Sequence, residues 1–440
     1  MFHEVMNRIH GRSAKVGVIG LGYVGLPLAE RAGRAGFVVL GFDVSAERVA
    51  QINRGESYIG DVASDALAAL RERNLIEATT DARRMRECDV LVICVPTPLN
   101  PTREPDMRYV EAASEDVAAS IRPGQLVILE STTYPGTTRE LILPRIERNG
   151  LRVGEQIFLA FSPERIDPGQ TSSQGFSVEN TPKVVGGVTA HCTELAGAFY
   201  GYITNRVVPV SSPDVAELTK LFENVFRAVN IALVNELALL CDRMGLNVWE
   251  VIEAAATKPY GFMKFTPGPG LGGHCIPIDP FYLTWKARAY DLTTRFIELA
   301  GEINTQMPRH VRDLVVRALN RARKPLNGST IVLLGVAYKP DVDDYRESPA
   351  FKVYDLLAAD GATVIPCDPH IDEFELHDGR RMRTALLTDD LLRQCDCAVI
   401  ITNHRAFDYE RIVTLAPVVV DTRNATRSIQ GPLREKIVVL

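Results

Sequence analysis

Short runs of β-branched and other apolar residues alternate along the chain with stretches whose apolar positions recur every three or four residues. Residues 15–20, KVGVIG, lead into the helical pattern PLAERAGRAG and then into FVVLGFDV, which ends at Asp43. Further apolar runs lie in CDVLVICVPTP (88–98), GQLVILESTTYPGT (124–137), QIFLAFSPERIDPG (156–169) and KVVGG (183–187). Continuous apolar runs separated by helix-length segments predict a parallel sheet covered on both faces. Each run closes on a cluster of Pro, Ser, Thr or Glu, so polar groups collect at the carboxyl edge, where doubly wound folds bind ligands.

At Ser212 the period changes to that of a helix, SPDVAELTKLFENVFRAVNIALVNELALLCDRMG. Ser212 suits a cap, Pro213 the first helical position and Gly245 a stop. About thirty residues at a rise of 1.5 Å make a helix of roughly 45 Å, too long for one small domain. Such a helix links domains and is expected to pack against a copy of itself. FYLTWKARAY and TRFIELAGEINTQMPRHVRDLVVRALN extend the helical section, and a second strand–helix alternation opens at Ser329 with TIVLLGVAYKP, continuing through CAVIIT and APVVVDTRN. The prediction is an α/β chain of two Rossmann-like doubly wound domains joined by a long central helix and a helical dimerisation domain, with boundaries at 1–208, 209–318 and 319–440.

The first strand–turn–helix carries G-x-G-x-x-G at Gly20, Gly22 and Gly25. The first glycine makes the turn, the second lets backbone approach a pyrophosphate, and the third packs helix on strand. The helix N-terminus then directs its positive end at the phosphates. Asp43, about twenty residues on, suits the ribose 2′-hydroxyl and repels a 2′-phosphate, which selects NAD over NADP. Arg48 either covers the adenosine or is a solvated helix residue. Thr97, Ser131, Thr132 and Glu164 fall on the binding edge; the alternatives are hydroxyls that satisfy backbone and a Glu164–Arg165 salt bridge.

At 440 residues the chain implies two or three domains, and its 46% hydrophobic and 24% charged residues are those of a globular protein. A net charge of -6 argues against general affinity for nucleic acid or anionic membrane. No run of spanning length and no signal-peptide core are read, so a cytoplasmic protein is expected. The eight cysteines are scattered without zinc spacing, and no metal is expected. One cysteine stands apart: Cys275 lies in the glycine- and proline-rich stretch TPGPGLGGHCIPIDP (266–280), four residues before Asp279. This segment suits neither helix nor strand and reads as a rigid close-approach loop. Composition leaves open whether Cys275 is a nucleophile or a buried thiol. Lys220 and Asn224, four apart, share a helix face. Lys339 and Arg346 follow the first strand of the second alternation, as anion ligands or as surface charges.

Taken together, GLGYVGLP, VPTPL, ESTTYPGT, FSPERIDPG, ELTKLFENVFRAVNIALVNE, GPGLGGHCIPIDP, GVAYKPDVDDYRESP and VVVDTRN resemble the UDP-glucose/GDP-mannose dehydrogenase family of NAD-dependent nucleotide-sugar 6-dehydrogenases. The likeness covers nearly the whole chain. It implies an NAD-binding first domain, a central domain for dimerisation and catalysis, and a nucleotide-sugar-binding last domain. It places the nucleophile on Cys275, a water-ordering acid on Asp279, oxyanion donors on Lys220 and Asn224, and water-holding groups on Thr132 and Glu164. It assigns Gly20, Gly22, Tyr23, Val24, Gly25, Asp43, Arg48, Thr97, Ser131, Thr132 and Arg346 to the cofactor. Substrate falls to Glu164, Arg165, Lys220, Asn224, Lys264, Gly272, Tyr338 and Lys339. The implied reaction is a four-electron oxidation of a UDP-sugar at C6 through a thiohemiacetal and a thioester, by a homodimer or higher homo-oligomer. ERIDPG (164–169) and His274 resemble the branch acting on UDP-N-acetylhexosamines, especially UDP-N-acetylglucosamine; UDP-glucose is the alternative. A two-electron dehydrogenase would leave Cys275 as a packing residue, and a non-catalytic module would bind NAD and UDP-sugar without turnover, against which the set Lys220, Asn224, Cys275 and Asp279 argues.

Overall fold

A computed structural model describes residues 1–100, 102–165, 177–273, 276–376 and 378–440. The chain divides into two compact units, the first Met1–Glu223 with Phe281–Asp291, the second Asn224–Pro280 with Leu292–Leu440.

In the first unit eight strands form one sheet: β1 (Lys15–Ile19), β2 (Val38–Phe42), β3 (Ile76–Thr79), β4 (Val90–Ile93), β5 (Leu126–Leu129), β6 (Phe158–Phe161), β7 (Lys183–Gly187) and β8 (Val207–Val210). Their order is β3-β2-β1-β4-β5-β6-β7-β8. Alternate residues of β4 serve opposite layers, Val90 and Val92 packing into one apolar cluster and Leu91 and Ile93 into another. Both faces are therefore covered, which is why these strands are apolar throughout. One expectation is corrected. The sheet is parallel from β3 to β6, but β7 runs antiparallel to β6 and β8 parallel to β7. A fully buried strand has the same apolar pattern in either direction, so the KVVGG run could not reveal its sense. β3 and β8 were not anticipated, since IEAT and VVPV are short and weakly patterned.

The second unit repeats the plan in five parallel strands, β9 (Thr330–Leu334), β10 (Thr363–Cys367), β13 (Cys397–Ile400), β14 (Val419–Asp421) and β15 (Ile437–Val439), ordered β10-β9-β13-β14-β15. Between β10 and β13 a small antiparallel pair, β11 (Glu373–Glu375) with β12 (Arg381–Arg383), is inserted. Ile331 and Leu333 of β9 face one apolar layer, Val332 and Leu334 the other.

The central helix spans Pro213–Met244, 32 residues. The Ser212 hydroxyl accepts the Val215 N–H at 3.3 Å and Gly245 follows at φ +69°, so cap and stop sit where the residues predict. By length and composition this helix could cross a bilayer. Its buried Glu217, Lys220, Asn224 and Asn235 instead require polar partners, as in a packed helix of a globular fold. Among the described residues three further α-helices follow before β9, Val248–Ala256, Asp279–Ala287 and Arg295–Arg321, the last with Pro308 inside it.

Candidate active site

The β1 turn has the geometry of a dinucleotide site. Gly20 sits at φ +89°, a region favourable only to glycine. A Cβ on Gly25 would lie 1.8 Å from the Gly20 carbonyl oxygen, whereas one on Gly22 would meet nothing within 4 Å. The third glycine is thus needed for packing, and the second leaves space beside the helix that starts at Gly25. Asp43 follows the end of β2; its carboxylate accepts the Leu21 N–H at 3.0 Å and the Ser45 N–H at 2.9 Å, with the Arg48 guanidinium 3.7 Å away. Arg48 also lies over the Tyr58 ring, 5.5 Å from its centroid, and the Tyr58 hydroxyl donates to the Leu21 carbonyl at 2.6 Å. Tyr58 was not foreseen. These residues fit NAD: an open glycine edge for the pyrophosphate, a helix N-terminus and a carboxylate held for the ribose. Tyr23 is exposed and Val24 half-buried at this turn.

Along the same edge Thr97 follows β4, Ser131 and Thr132 follow β5, and Glu164 follows β6. The Ser131 hydroxyl donates to the Val95 carbonyl at 2.8 Å, so it satisfies backbone, while its neighbour Thr132 is half-buried. The Thr97 carbonyl accepts from the Tyr282 hydroxyl at 3.0 Å. The turn after Thr132 is held by Glu217 of the central helix. Its fully buried carboxylate accepts the Gly136 N–H at 2.6 Å, the Thr138 N–H at 2.9 Å and the Thr138 hydroxyl at 2.7 Å. Burial outweighs these donors and pushes the Glu217 carboxyl up to about 7.

The Glu164–Arg165 salt bridge, the alternative reading of this pair, does not form. Glu164 Oε2 pairs with Lys183 Nζ at 2.9 Å, and the Arg165 guanidinium turns instead to Glu223 and the Pro182 carbonyl; only the Arg165 backbone N–H bonds Glu164. Lys183 is buried at the start of β7 and also pairs with Glu130, whose other oxygen accepts from the Tyr200 hydroxyl at 2.7 Å. Burial pushes the Glu130 carboxyl up to about 7, with Lys183 pulling it down. Burial pulls Lys183 down, but Glu130 and Glu164 together hold its pKa above the ordinary value. Of these partners the sequence reading found Glu164 alone, because a lysine opening a strand reads as a surface charge.

Lys220 and Asn224 are both buried, so the face they share is not a solvated one. In the second unit the Asn224 carboxamide donates to the Asp279 carboxylate, itself buried in the first turn of its helix. Cys275 and His274 lie outside the described residues, as does the 166–169 part of ERIDPG. The loop ahead of Cys275 is anchored twice. Gly268 N–H donates to the buried Asn235 side chain at 3.0 Å, and Asn235 in turn bonds Asn304. Gly273 N–H donates to the Arg346 carbonyl at 3.1 Å. Gly272 and Gly273 lie against Tyr338, where added Cβ atoms would come within 2.8 and 2.7 Å of its side chain. Lys339 Nζ is 5.2 Å from the Tyr338 ring centroid, and Arg346 forms a two-pronged pair with Asp344 at 2.9 and 2.6 Å. Lys264 is exposed and pairs with Glu253.

Among the described residues one group brings His and Asp ligand atoms together, Asp341, His370 and His404. His404 Nδ1 accepts the Asp341 N–H at 3.0 Å, which makes Nε2 the donor to Asp368 at 3.1 Å. Both ring nitrogens are thereby used in fastening β10 to the loop after β9. Cys395 and Cys397 are buried, and burial raises both thiols.

Three family domains match the chain in sequence: the NAD binding domain of the UDP-glucose/GDP-mannose dehydrogenase family at 14–204, its central domain at 214–306, and its UDP binding domain at 332–428. Among similar proteins, a UDP-N-acetyl-D-glucosamine 6-dehydrogenase of Pseudomonas aeruginosa is 37% identical over 362 residues, covering 82% of this chain and 84% of the relative. A UDP-N-acetyl-D-mannosamine dehydrogenase of Methanococcus maripaludis is 35% identical over 401 residues, 89% and 87% of the two chains. The structure of a UDP-D-ManNAc dehydrogenase from Pyrococcus horikoshii superposes with a TM-score of 0.85 at 33% identity, over 95% of this chain and 96% of that one.

Proposed function

The chain belongs to the UDP-glucose/GDP-mannose dehydrogenase family of oxidoreductases, and on that premise we propose that it oxidises a UDP-N-acetylhexosamine at C6 to the uronic acid. UDP-N-acetylglucosamine is the first candidate and UDP-N-acetylmannosamine the second, each supported by a relative of that printed activity; UDP-glucose stands behind them. The observation that carries the reading is the buried Asn224–Asp279 pair, whose Asp279 stands four residues past Cys275 in the chain.

NAD, when bound at the Gly20–Gly25 turn and Asp43, supplies the hydride acceptor, two equivalents per sugar. Lys220 and Asn224 donate to the C6 oxygen as it gains charge, a role for which buried, fixed donors are strong. Cys275 Sγ bonds the C6 aldehyde carbon as a thiohemiacetal and leaves from the thioester when water attacks. Asp279, oriented by Asn224, takes that water's proton, and Thr132 and Glu164 hold a catalytic water and assist proton transfer. Arg165, Lys264, Gly272, Tyr338 and Lys339 line the nucleotide-sugar; Tyr23, Val24, Arg48, Thr97, Ser131 and Arg346 line the cofactor.

The modules are 1–208 for the cofactor, 209–318 for catalysis and self-association and 319–440 for the nucleotide-sugar, in a cytoplasmic homodimer. Self-association is supported by an apolar stripe on the central helix. Val215, Leu218, Phe222, Phe226, Leu233, Leu240 and Met244 fall on one face and are all exposed, Phe222 by 64% and Leu233 by 62%.

The test is an NADH-coupled panel of UDP-N-acetylglucosamine, UDP-N-acetylmannosamine, UDP-N-acetylgalactosamine and UDP-glucose. Two NADH per UDP-N-acetylhexosamine are expected; one NADH with release of an aldehyde overturns the proposal. Cys275→Ser is expected to bind NAD as the parent does and to lose completed oxidation.

A further inference from the structure

Lys183 belongs to none of the motifs that carry the reaction, yet it is among the most buried cations of the first unit. It enters at the first residue of β7, the strand that reverses direction in the sheet. Two carboxylates meet its ammonium: Glu130, at the end of β5, and Glu164, at the end of β6. The other groups packed against it are the Tyr200 ring, whose centroid lies 5.1 Å from Nζ, and the Cys94 thiol after β4, which burial raises above its ordinary value. Tyr200 donates its hydroxyl to the Glu130 oxygen that Lys183 does not hold, so both oxygens of Glu130 are fixed.

A lone buried ammonium is costly unless it is paired and hydrogen-bonded. Glu130 alone would supply its counter-charge. The second contact, to Glu164, therefore does something the charge balance of Lys183 does not demand: it fixes one oxygen of the edge carboxylate and keeps a cation beside it. The Arg165 N–H holds the other oxygen at 2.8 Å.

We propose that Lys183, braced by Glu130 and Tyr200, is a positioning residue that orients Glu164 and holds it ionised at the carboxyl edge of the sheet. This rests on the reading of Glu164 as the group that holds water near C6. The reversed strand supplies the device: an antiparallel β7 brings its first residue, rather than its last, to the edge where β5 and β6 end.

The test uses the full-length enzyme with NAD and the best substrate of the panel. In Lys183→Met, the acid limb of kcat/KM is expected to move up by about one pH unit, because an opposite charge within hydrogen-bond distance lowers a carboxyl pKa. kcat at pH 7 falls about 10- to 100-fold through loss of orientation, with KM within about 3-fold of the parent. Lys183→Arg restores the limb. The single variant leaves Glu130 buried without its cation, so Glu130→Gln/Lys183→Met is made as well, and a limb shift of the same sign but smaller is expected of it, because the Glu130 charge that opposes Glu164 ionisation is gone too. A folded variant, by thermal melting and NAD binding, that keeps the parent's pH profile and kcat overturns the proposal. A carboxyl-carbon NMR titration of Glu164, assigned with Glu164→Gln, separates the two levels of inference. If the parent oxidises no UDP-sugar but the Glu164 titration still moves up in the double variant, the functional reading fails and the positioning role stands. An unmoved titration refutes the positioning role alone.

Discussion

Gly22 and Gly25 sit three residues apart in one turn, and the structure predicts opposite consequences for adding one methyl group to each. At Gly25 the new Cβ would lie 1.8 Å from the Gly20 carbonyl oxygen and 3.2 Å from Cys94 Cβ. The first neighbour is backbone and cannot rotate away, so the helix start must move by more than 1 Å relative to β1. Overpacking of this kind costs about 1–3 kcal/mol, which lowers the melting temperature of a unit this size by about 3–10 °C. At Gly22 the Cβ points into open space and the residue is not at positive φ. Gly22→Ala is therefore expected to melt within about 2 °C of the parent, surface substitutions lying mostly within ±0.5 kcal/mol. The space it fills is the one assigned to the pyrophosphate, so NAD affinity should fall about 10- to 100-fold, 1.4–2.8 kcal/mol. Differential scanning fluorimetry and calorimetric NAD titration of both variants decide the matter. A Gly22→Ala protein that melts as low as Gly25→Ala, or that binds NAD as tightly as the parent, refutes the assignment of that space.

Glu217 makes a pH-dependent contribution of definite sign. Its carboxyl is raised in the folded state from an ordinary 4.5 to about 7. Its contribution is complete below the unfolded value and is lost as pH rises through the folded one, on the order of 3 kcal/mol across that window. Glu217→Gln cannot ionise, so the parent's advantage in melting temperature over this variant should be largest near pH 5 and shrink by pH 8; a constant gap would contradict it. On the central helix, Phe222→Glu/Leu233→Glu places two charges in the apolar stripe and should leave a monomer by sedimentation, still able to bind NAD. An unchanged sedimentation coefficient would move the self-association surface elsewhere.

What could be read from residues alone was whatever local spacing determines. The glycine turn, Asp43, the central helix with its cap and stop, and the second strand–helix alternation all depend on neighbours within about thirty residues. The missed features depend on contacts across the fold. Glu130 closes LVILE like any strand-end acid, and its partner Lys183 is 53 positions away. Asn235 looks like one polar residue in a helix until Gly268 and Asn304 meet it. The sense of β7 was illegible for a different reason: burial on both faces erases the alternation that direction would act upon. Glu164 was found, with the adjacent arginine as its alternative ion-pair partner; the cation that meets it, Lys183, is 19 positions away and gave no local signal.

The loop before Cys275 is clamped at Gly268 by Asn235 and at Gly273 by the Arg346 carbonyl. Asn235 stands eleven positions after Asn224 on the same helix, so the partner of Asp279 and the first clamp share one rigid ruler. Insertion of one residue between them would rotate the clamp by about 100° around the helix and bring a different residue to Gly268. Insertions in the stretch before Gly268 leave both clamps in register. Lengthening or shortening 258–267 is thus the tolerant way to remodel this part of the protein, and a redesign for a bulkier ligand should begin there, with the helix left untouched.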